Sequence, residues 1–331
     1  MDLDAFSAAH RDDWARLDDL GRRRTYSGAE ADELIDRYQS GATELSALKT
    51  SAGSTVAGDR LSVSLSRARQ RFTGSSANLF AAIPAFFALQ LPAALYRLRW
   101  IIAVVAAATI LVSVLYAVWV ANNPQVLANF GTDAELQKIA QNDFVNYYSD
   151  NPAASFTGQV WTNNAWITAQ CVAFGIVGVY VPFVLLQNAM NIGVSAGVLF
   201  HFGYGAEFFQ YILPHGMLEL TAIFVGAAAG LRIFWAFIAP AARTRGQALA
   251  EDGRALFTVA IGLIFVLLVS GVIEGFVTPQ PWPWPVKVAI GAVALGAFVF
   301  YIVFVGGRAS RAGETGDLEE FDAGAKRLIA A

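Results

Sequence analysis

The chain contains few charged residues and almost no cysteine. Only 15% of its 331 residues are charged, while 56% are hydrophobic; soluble domains carry about 25% charged residues. The single cysteine, Cys171, excludes an intrachain disulfide, which fits a membrane protein without an oxidised extracellular module. The composition therefore argues against an ordinary soluble domain and favours an integral membrane protein.

Several functional signatures are also missing from the sequence. The net charge of -3 gives no basic surplus for binding nucleic acid. No glycine cluster has the Gly-x-x-x-x-Gly-Lys-Ser/Thr form of a nucleotide-binding loop. No signal peptide is visible before the first clean apolar run, which starts at Trp100. We therefore predict no nucleic-acid partner and no P-loop nucleotide site.

Long apolar runs dominate what is present. Six segments reach the length of about 20 residues that a transmembrane helix needs. They are residues 100–120, 165–187, 193–213, 217–239, 255–276 and 286–306. The sequence thus predicts an all-α, polytopic helical membrane protein with about six transmembrane helices in a bundle over residues 100–307. The 193–213 segment contains His201 and Glu207 and is interpreted either as one span or as a broken helix.

The sequence pattern before the bundle, over residues 1–75, is typical of polar helices. Residues 1–75 carry an apolar stripe that includes Leu34 and Tyr38, and Ser27 with Glu30 forms a capping box before it. This pattern predicts a soluble, cytoplasmic helical region at the start of the chain.

Three further segments complete the predicted organisation. Residues 76–99 are predicted to be an interfacial or elbow segment, because Pro84 and Pro92 are poorly suited to a spanning helix. The 121–164 segment is long for a connector, and we expect it to lie outside the cell and pack over the mouth of the bundle. Residues 308–331 are predicted to be a cytoplasmic tail.

The distribution of arginine orients the predicted bundle. Arginines flank alternate ends of the spans, at positions 97, 99, 243, 245, 254, 308 and 311. The 121–164 segment, by contrast, holds a single basic residue, Lys138. The positive-inside rule then places both termini in the cytoplasm. We expect the protein to lie in a bacterial inner membrane.

Ionisable residues inside the apolar segments mark a candidate site. His215 and Glu219 stand four residues apart, which puts both side chains on one face of a helix, and Glu274 lies in another apolar segment. Such groups are costly in a membrane and are functional candidates by default. The predicted topology brings all three to one depth near the outer leaflet. Three further residues are predicted to assist this polar site: Asn163, Asn164 and Glu207.

Two other patterns concern helix contacts. Asn188 and Asn191 fall between the second and third predicted spans, so we place them at an inner junction. Two pairs of glycines have the small-xxx-small spacing of close helix packing, Gly193 with Gly197 and Gly226 with Gly230. We favour packing within one chain for these pairs, with homodimerisation as the alternative.

The chain resembles the stage II sporulation protein M family of integral membrane proteins. Two elements carry the resemblance, Pro214-His215-Gly216-x-x-Glu219-Leu220 and Ile273-Glu274-x-Phe276-x-Thr278-Pro279. Asn163-Asn164 and the Asn188-x-x-Asn191-Ile192-Gly193 stretch also match. The chain departs from the family pattern at Gly275, where alanine is usual.

The resemblance implies an envelope role more than a reaction. The sporulation member acts with partner proteins and cell-wall hydrolases in membrane remodelling, and this chain is similar to the longer, non-sporulation branch. Members outside sporulation are often encoded near RDD-type membrane proteins and MoxR-type ATPases. The resemblance therefore implies these two partners, and we also expect contact with membrane lipid.

Three functions fit the residues. We favour a scaffold or assembly component of an envelope complex, in which His215, Glu219 and Glu274 form a buried polar lock. A transporter, flippase or channel using the same polar site is the first alternative. A membrane-embedded hydrolase with a divalent metal at these three residues is the second. No serine or cysteine nucleophile signature accompanies them, so we favour a protein that is not an enzyme. A divalent metal is the one bound group that these residues could hold, and we predict no other cofactor.

Overall fold

A computed structural model describes residues 3–23, 25–52, 55–72, 83–148 and 152–317. Within these ranges every regular element is helical, so the predicted all-α fold is confirmed. The described helices divide into two compact units, one up to Phe72 and one from Ile83 onward.

In the part of the first unit that the structure describes, four helices surround a leucine core. They are α1 (Leu3–Ala9), α2 (Arg11–Arg22), α3 (Gly28–Ala52) and α4 (Val56–Phe72). The core residues are Leu17, Leu20, Leu34, Leu48, Leu61 and Leu65. The predicted capping box is present before α3, because Ser27 N–H donates to Glu30 at 2.9 Å and Glu30 N–H donates to Ser27 Oγ at 3.3 Å. Residues 73–75 of this predicted region lie outside the described residues.

Ion pairs bind α2 to α3 on the surface of this unit. Arg16 Nη2 donates to Glu33 Oε2 at 2.7 Å, and Arg37 Nε donates to Glu33 Oε1 at 2.9 Å. These hydrogen bonds from Arg16 and Arg37 lower the pKa of Glu33 to about 2. Glu33 therefore remains ionised at neutral pH and links the two helices.

The described residues of the second unit form nine α-helical segments. They are α5 (Ile83–Asn122), α6 (Pro124–Leu127), α7 (Asp133–Lys138), α8 (Phe144–Asn146), α9 (Ala153–Ala173), α10 (Tyr180–His201), α11 (Gly205–Ile238), α12 (Arg245–Phe276) and α13 (Trp284–Arg311). Among the described residues, five helices are long and apolar enough to cross a membrane: α5, α10, α11, α12 and α13. Large apolar side chains such as Val104, Leu111 and Val118 are exposed on α5. Such surface is characteristic of helices that face lipid, and the protein is a membrane protein.

α9 is a sixth helix in the same bundle, although it is less apolar than the other five. Near its start, Thr157 Oγ1 donates to the Gly271 carbonyl oxygen of α12 at 3.1 Å. Near its end, the Cys171 carbonyl oxygen faces Gly230 of α11. α9 has 21 residues, about 31 Å of helix, and it packs beside its neighbours over most of that length.

Of the predicted interfacial or elbow segment, residues 83–99 form no elbow, since they belong to the continuous helix α5. A π-helical turn at Phe86–Gln90 precedes Pro92, and Leu91 N–H donates to the Phe86 carbonyl oxygen within it. A π-helical turn of this kind accommodates a proline such as Pro92, which cannot donate a helical hydrogen bond. The Tyr301 hydroxyl donates to the Phe87 carbonyl oxygen. Residues 76–82 lie outside the described residues.

Two predicted spans contain helix breaks. The 165–187 segment is interrupted between α9 and α10, where Gly178 has a φ of 29°. The 193–213 segment is interrupted between α10 and α11, where Gly203 has a φ of 85°. The broken-helix interpretation of the latter was therefore the correct one. α11 begins twelve residues before the predicted 217–239 span, and His215 lies in its interior rather than at its start.

The predicted junction at Asn188 and Asn191 is also wrong, because both residues lie inside α10. Gly193 and Gly197 of the same helix face α5. An added Cβ would lie 2.8 Å from an α5 side chain at Gly193 and 2.7 Å from one at Gly197. These glycines therefore permit close packing within the chain and do not terminate a helix.

The described start of the predicted 308–331 tail is part of the bundle. α13 extends to Arg311, and the chain then returns to α12. The Thr258 hydroxyl donates to the Gly316 carbonyl oxygen at 2.9 Å, and Arg254 Nη2 donates to Asp317 at 2.7 Å. Residues 318–331 lie outside the described residues.

Candidate functional site

Two antiparallel helices bring three ionisable residues together. His215 and Glu219 lie one turn apart on α11, and Glu274 lies in the last turn of α12. Each offers one potential ligand atom, and these atoms all lie within 4.8 Å of one another. His215 Nε2 is 3.7 Å from Glu274 Oε1. We call these three residues the His/Glu cluster.

The His/Glu cluster is buried. His215 and Glu274 are each 4% exposed, and Glu219 is partly buried. Glu274 Oε2 has no hydrogen-bond partner among the residues that the structure describes. A buried carboxylate oxygen without a partner is costly. The arrangement favours an added proton or a cation at this point, and the three donors could hold a metal ion.

The His215 side chain is oriented from its other ring nitrogen. His215 Nδ1 lies 3.3 Å from the Thr278 hydroxyl, which is fully buried just beyond the end of α12. The Ser270 hydroxyl donates to the His215 carbonyl oxygen at 3.1 Å and fixes the backbone beside α12. These contacts direct His215 Nε2 toward Glu274.

α13 closes one side of the His/Glu cluster. Its Gly291 packs against the backbone of α11, where a Cβ would lie 2.2 Å from the Pro214 carbonyl oxygen. Lys287, one turn earlier on α13, donates to the Thr278 carbonyl oxygen at 2.8 Å and lies 4.9 Å from the centre of the Tyr211 ring. The glycine therefore allows α13 to approach closely enough to support the residue that orients His215.

Aromatic residues of the connection between α5 and α9 cover the cluster. The Tyr148 ring lies 5.8 Å from the His215 ring and 5.3 Å from the Tyr211 ring. Burial raises the pKa of Tyr148, and the Glu274 carboxylate raises it further. Tyr148 thus stays a neutral phenol at physiological pH. The predicted 121–164 segment ends earlier than expected, because α9 begins at Ala153, and Tyr148 in the part before α9 packs against His215.

Comparison with known proteins identifies the chain. The family model for stage II sporulation protein M matches residues 103–279, which is more than half of the chain and includes the whole His/Glu cluster. The chain belongs to the stage II sporulation protein M family. Residues 4–74 of this family member also match a domain of unknown function, DUF8413, which corresponds to the first helical unit.

A curated relative has no described activity. The chain is 28% identical over 124 residues to the uncharacterized protein MJ0706 of Methanocaldococcus jannaschii, a match that covers 36% of this chain and 54% of the relative. The chain thus spans about half the length of that relative. No solved structure matches the chain significantly.

Five further residues of this family member were predicted for the site or the inner junction. Asn163 and Asn164 contact each other, and the other three lie away from the His/Glu cluster. Asn163 Nδ2 donates to Asn164 Oδ1 at 3.5 Å in the middle of α9. Glu207 lies in the first turn of α11, eight residues and about 12 Å along the helix from His215. Asn188 and Asn191 instead line a separate cavity of about 160 Å³ between α9 and α10.

Sequence reasoning missed four contributors to the site: Ser270, Thr278, Lys287 and Tyr148. Thr278 was visible in the element around Glu274, and Tyr148 belongs to an aromatic run at 144–148. The helix contacts that bring them to His215 leave no local pattern in the sequence.

Gly275, where the resemblance leads us to expect alanine, has no room for a side chain. A Cβ at this position would lie 2.1 Å from Thr157 Oγ1 and 2.8 Å from the Ala153 carbonyl oxygen. α9 therefore passes close to α12 beside Glu274, and alanine there would require Thr157 and the start of α9 to move.

Proposed function

We propose that this membrane protein is a scaffold or assembly component of a cell-envelope complex, and that its His/Glu cluster holds a divalent metal ion. The convergence of three donor atoms within 4.8 Å carries the metal assignment. Imidazole and carboxylate groups are donors that zinc uses in proteins. A metal at this point would join α11 to α12 beneath the cover of Tyr148.

The distances support this assignment. Donors around a four-coordinate zinc lie roughly 3.4 Å apart, given metal–ligand distances of about 2.1 Å. His215 Nε2 and Glu274 Oε1 are 3.7 Å apart, and the three donor atoms lie within 4.8 Å of one another, so the side chains must close by up to about 1.4 Å to hold one ion. The unpaired Glu274 Oε2 supplies a further donor without breaking a hydrogen bond.

Thr278 supports the required form of His215. Its single hydroxyl proton can be donated to the Ile273 carbonyl oxygen, 3.4 Å away. His215 Nδ1–H then donates to Thr278, and Nε2 presents its lone pair to the cluster. Metal-bound histidines ordinarily donate their second ring nitrogen in this way.

Hydrolysis is a second candidate function, favoured by the number of donors. Three protein ligands leave a fourth position for water, as catalytic zinc sites do. The scaffold role comes first because His215 and Glu274 are buried and Tyr148 covers the cluster, an arrangement that does not favour access by a substrate.

The proposal includes an orientation in a bacterial inner membrane, with six crossings and both termini in the cytoplasm. The arginines at one end of the bundle support it, as does the packing of α9 beside α11 and α12. A cysteine placed at Lys138 in a chain with Cys171→Ser is expected to react with a membrane-impermeant maleimide added to intact cells. Labelling of that cysteine only from the cytoplasmic side would contradict the orientation.

The central experiment measures metal and partners in one sample. The chain is crosslinked in cells grown with zinc, manganese and iron, purified without chelator, and analysed by elemental and peptide mass spectrometry. We expect about one metal ion per wild-type chain and an RDD-type membrane protein or a MoxR-type ATPase among the crosslinked products.

Matched variants locate the metal. His215→Ala and Glu274→Gln are expected to lose the metal. Glu207→Gln is expected to keep it, because Glu207 lies on the same helix as His215 but outside the cluster. If the purified wild-type protein contains no metal, the metal assignment is wrong, and His215, Glu219 and Glu274 form only a buried polar lock. Recovery of the crosslinked chain without either partner would contradict the proposed complex.

A further inference from the structure

A second polar feature lies at the opposite end of the bundle from the His/Glu cluster. α5, α11 and α12 enclose a cavity of about 210 Å³ there. Its charged lining consists of Arg97 and Arg99 from α5, Arg232 from α11 and Asp252 from α12. We call this feature the arginine cavity.

One buried carboxylate organises the arginines. Asp252 is 4% exposed. Its oxygens lie 3.7 Å from Arg97 Nη2, 3.3 Å from Arg232 Nη2 and 3.2 Å from Arg243 Nη2. Three guanidinium groups from different parts of the chain therefore share one carboxylate, and positive charge is concentrated at one point.

Positive charge exceeds negative charge around the arginine cavity. Arg243 is also paired with Glu251 at 2.5 Å. Arg99 stacks 3.9 Å from the centre of the Tyr96 ring and donates to the Tyr96 carbonyl oxygen; neither contact neutralises it. Four arginines thus face two carboxylates, and the surplus favours an anion.

The surroundings of the arginine cavity are those of a membrane interface. Trp100 of α5 is 72% exposed and Trp235 of α11 is 57% exposed, and each lies close in sequence to an arginine of the cavity. Exposed tryptophans mark the headgroup level of membrane helices. The rest of the lining is apolar and includes Leu98, Leu256 and Val259, so charged and apolar walls meet at headgroup level.

We propose that the arginine cavity binds the phosphate group of an anionic glycerophospholipid. Guanidinium groups recognise phosphate through paired, charge-assisted hydrogen bonds. The apolar wall suits the glycerol and first methylenes of the lipid, which a free phosphate lacks. Basic pockets between membrane helices on the cytoplasmic side are known to take lipid headgroups.

The simpler interpretation is that these arginines only extend to the interface. Arginines that merely extend to the interface reach independently toward water, whereas Arg97, Arg232 and Arg243 converge on buried Asp252. The convergence creates a fixed cationic site beside an apolar wall, and this favours a specific ligand.

Native mass spectrometry of the full-length protein tests the proposal. The protein in detergent is mixed with equal amounts of phosphatidylglycerol and phosphatidylcholine of the same acyl chains. We expect retained phosphatidylglycerol to dominate, and Arg99→Gln to weaken its binding about tenfold, the effect of losing one charge-assisted hydrogen bond. Arg99 is chosen because its neutralisation does not leave buried Asp252 without a partner.

Controls separate specific binding from general attraction. Arg245→Gln changes the charge equally, but Arg245 lies outside the cavity lining, so binding should stay within twofold of wild type. Equal retention of the two lipids, or equal losses in Arg99→Gln and Arg245→Gln, would overturn the proposal. Complete displacement of the lipid by millimolar inorganic phosphate would assign the cavity to a soluble phosphate and overturn the lipid assignment.

Discussion

Replacing Gly230 with leucine is expected to lower the apparent Tm of the purified protein by roughly 6–12 °C. A Cβ at Gly230 would lie 2.1 Å from the Cys171 carbonyl oxygen and 3.2 Å from Gly175 Cα. The obstacle is backbone, which cannot rotate away as a side chain can. Because backbone cannot yield, we take the upper end of the usual cost of overpacking, about 3 kcal/mol, and each kcal/mol corresponds to roughly 2–4 °C in a large domain. A thermal-shift assay in detergent measures the effect.

Gly296→Leu is the matched control for this prediction. Gly296 lies in the membrane helix α13, and an added Cβ there meets no atom within 4 Å. Leucine also has a better helix propensity than glycine, so the apparent Tm should stay unchanged or rise. Similar losses at positions 230 and 296 would mean that the α9–α11 contact does not depend on the absence of a side chain.

Removing the metal from the wild-type protein is expected to have the second large effect. A ligand present at a thousand times its Kd stabilises the folded state by about 4 kcal/mol, which corresponds to roughly 8–16 °C. A chelator should therefore lower the apparent Tm by about this amount, and restoring zinc should reverse the change. This prediction depends on the proposed metal site.

Variants make the chelator experiment specific to the His/Glu cluster. Glu274→Gln should start at the lower Tm and respond little to chelator, while Glu207→Gln should respond as the wild type does. The His215→Ala, Glu274→Gln double variant should be close to the single variants, because either substitution alone empties the site. A chelator effect of equal size in wild type and Glu274→Gln would place the metal elsewhere.

The sequence predicted the class of fold but not the limits of the helices. Long apolar runs identify membrane helices because the bilayer requires a minimum length. Between residues 165 and 213 the chain offers several glycines, and hydropathy cannot distinguish them. Gly178 and Gly203 adopt positive φ angles at breaks, whereas Gly193 and Gly197 pack against α5. Only contacts with distant residues decide between these roles.

The site was predictable where it depended on local spacing. His215 and Glu219 share a helix face at four residues apart, and the arginine distribution suggested that Glu274 reaches the same depth. Tyr148 and Thr278 could not be predicted as neighbours of His215, because each contact joins residues more than sixty positions apart. Asn163 was included for its depth alone, which does not determine which neighbour its side chain meets.

The pairing of α11 with α12 also bears on how the chain enters the bilayer during synthesis. α11 carries His215 and Glu219, and their partner Glu274 is synthesised only at the end of α12. An ionisable group in a membrane helix opposes insertion by about 2.5–3.5 kcal/mol at the helix centre, and this penalty is relieved when its partner arrives. The connection over residues 239–244 is short enough for the two helices to enter as one hairpin. A longer connection would extend the interval in which the translocon and membrane proteases meet an unpaired α11.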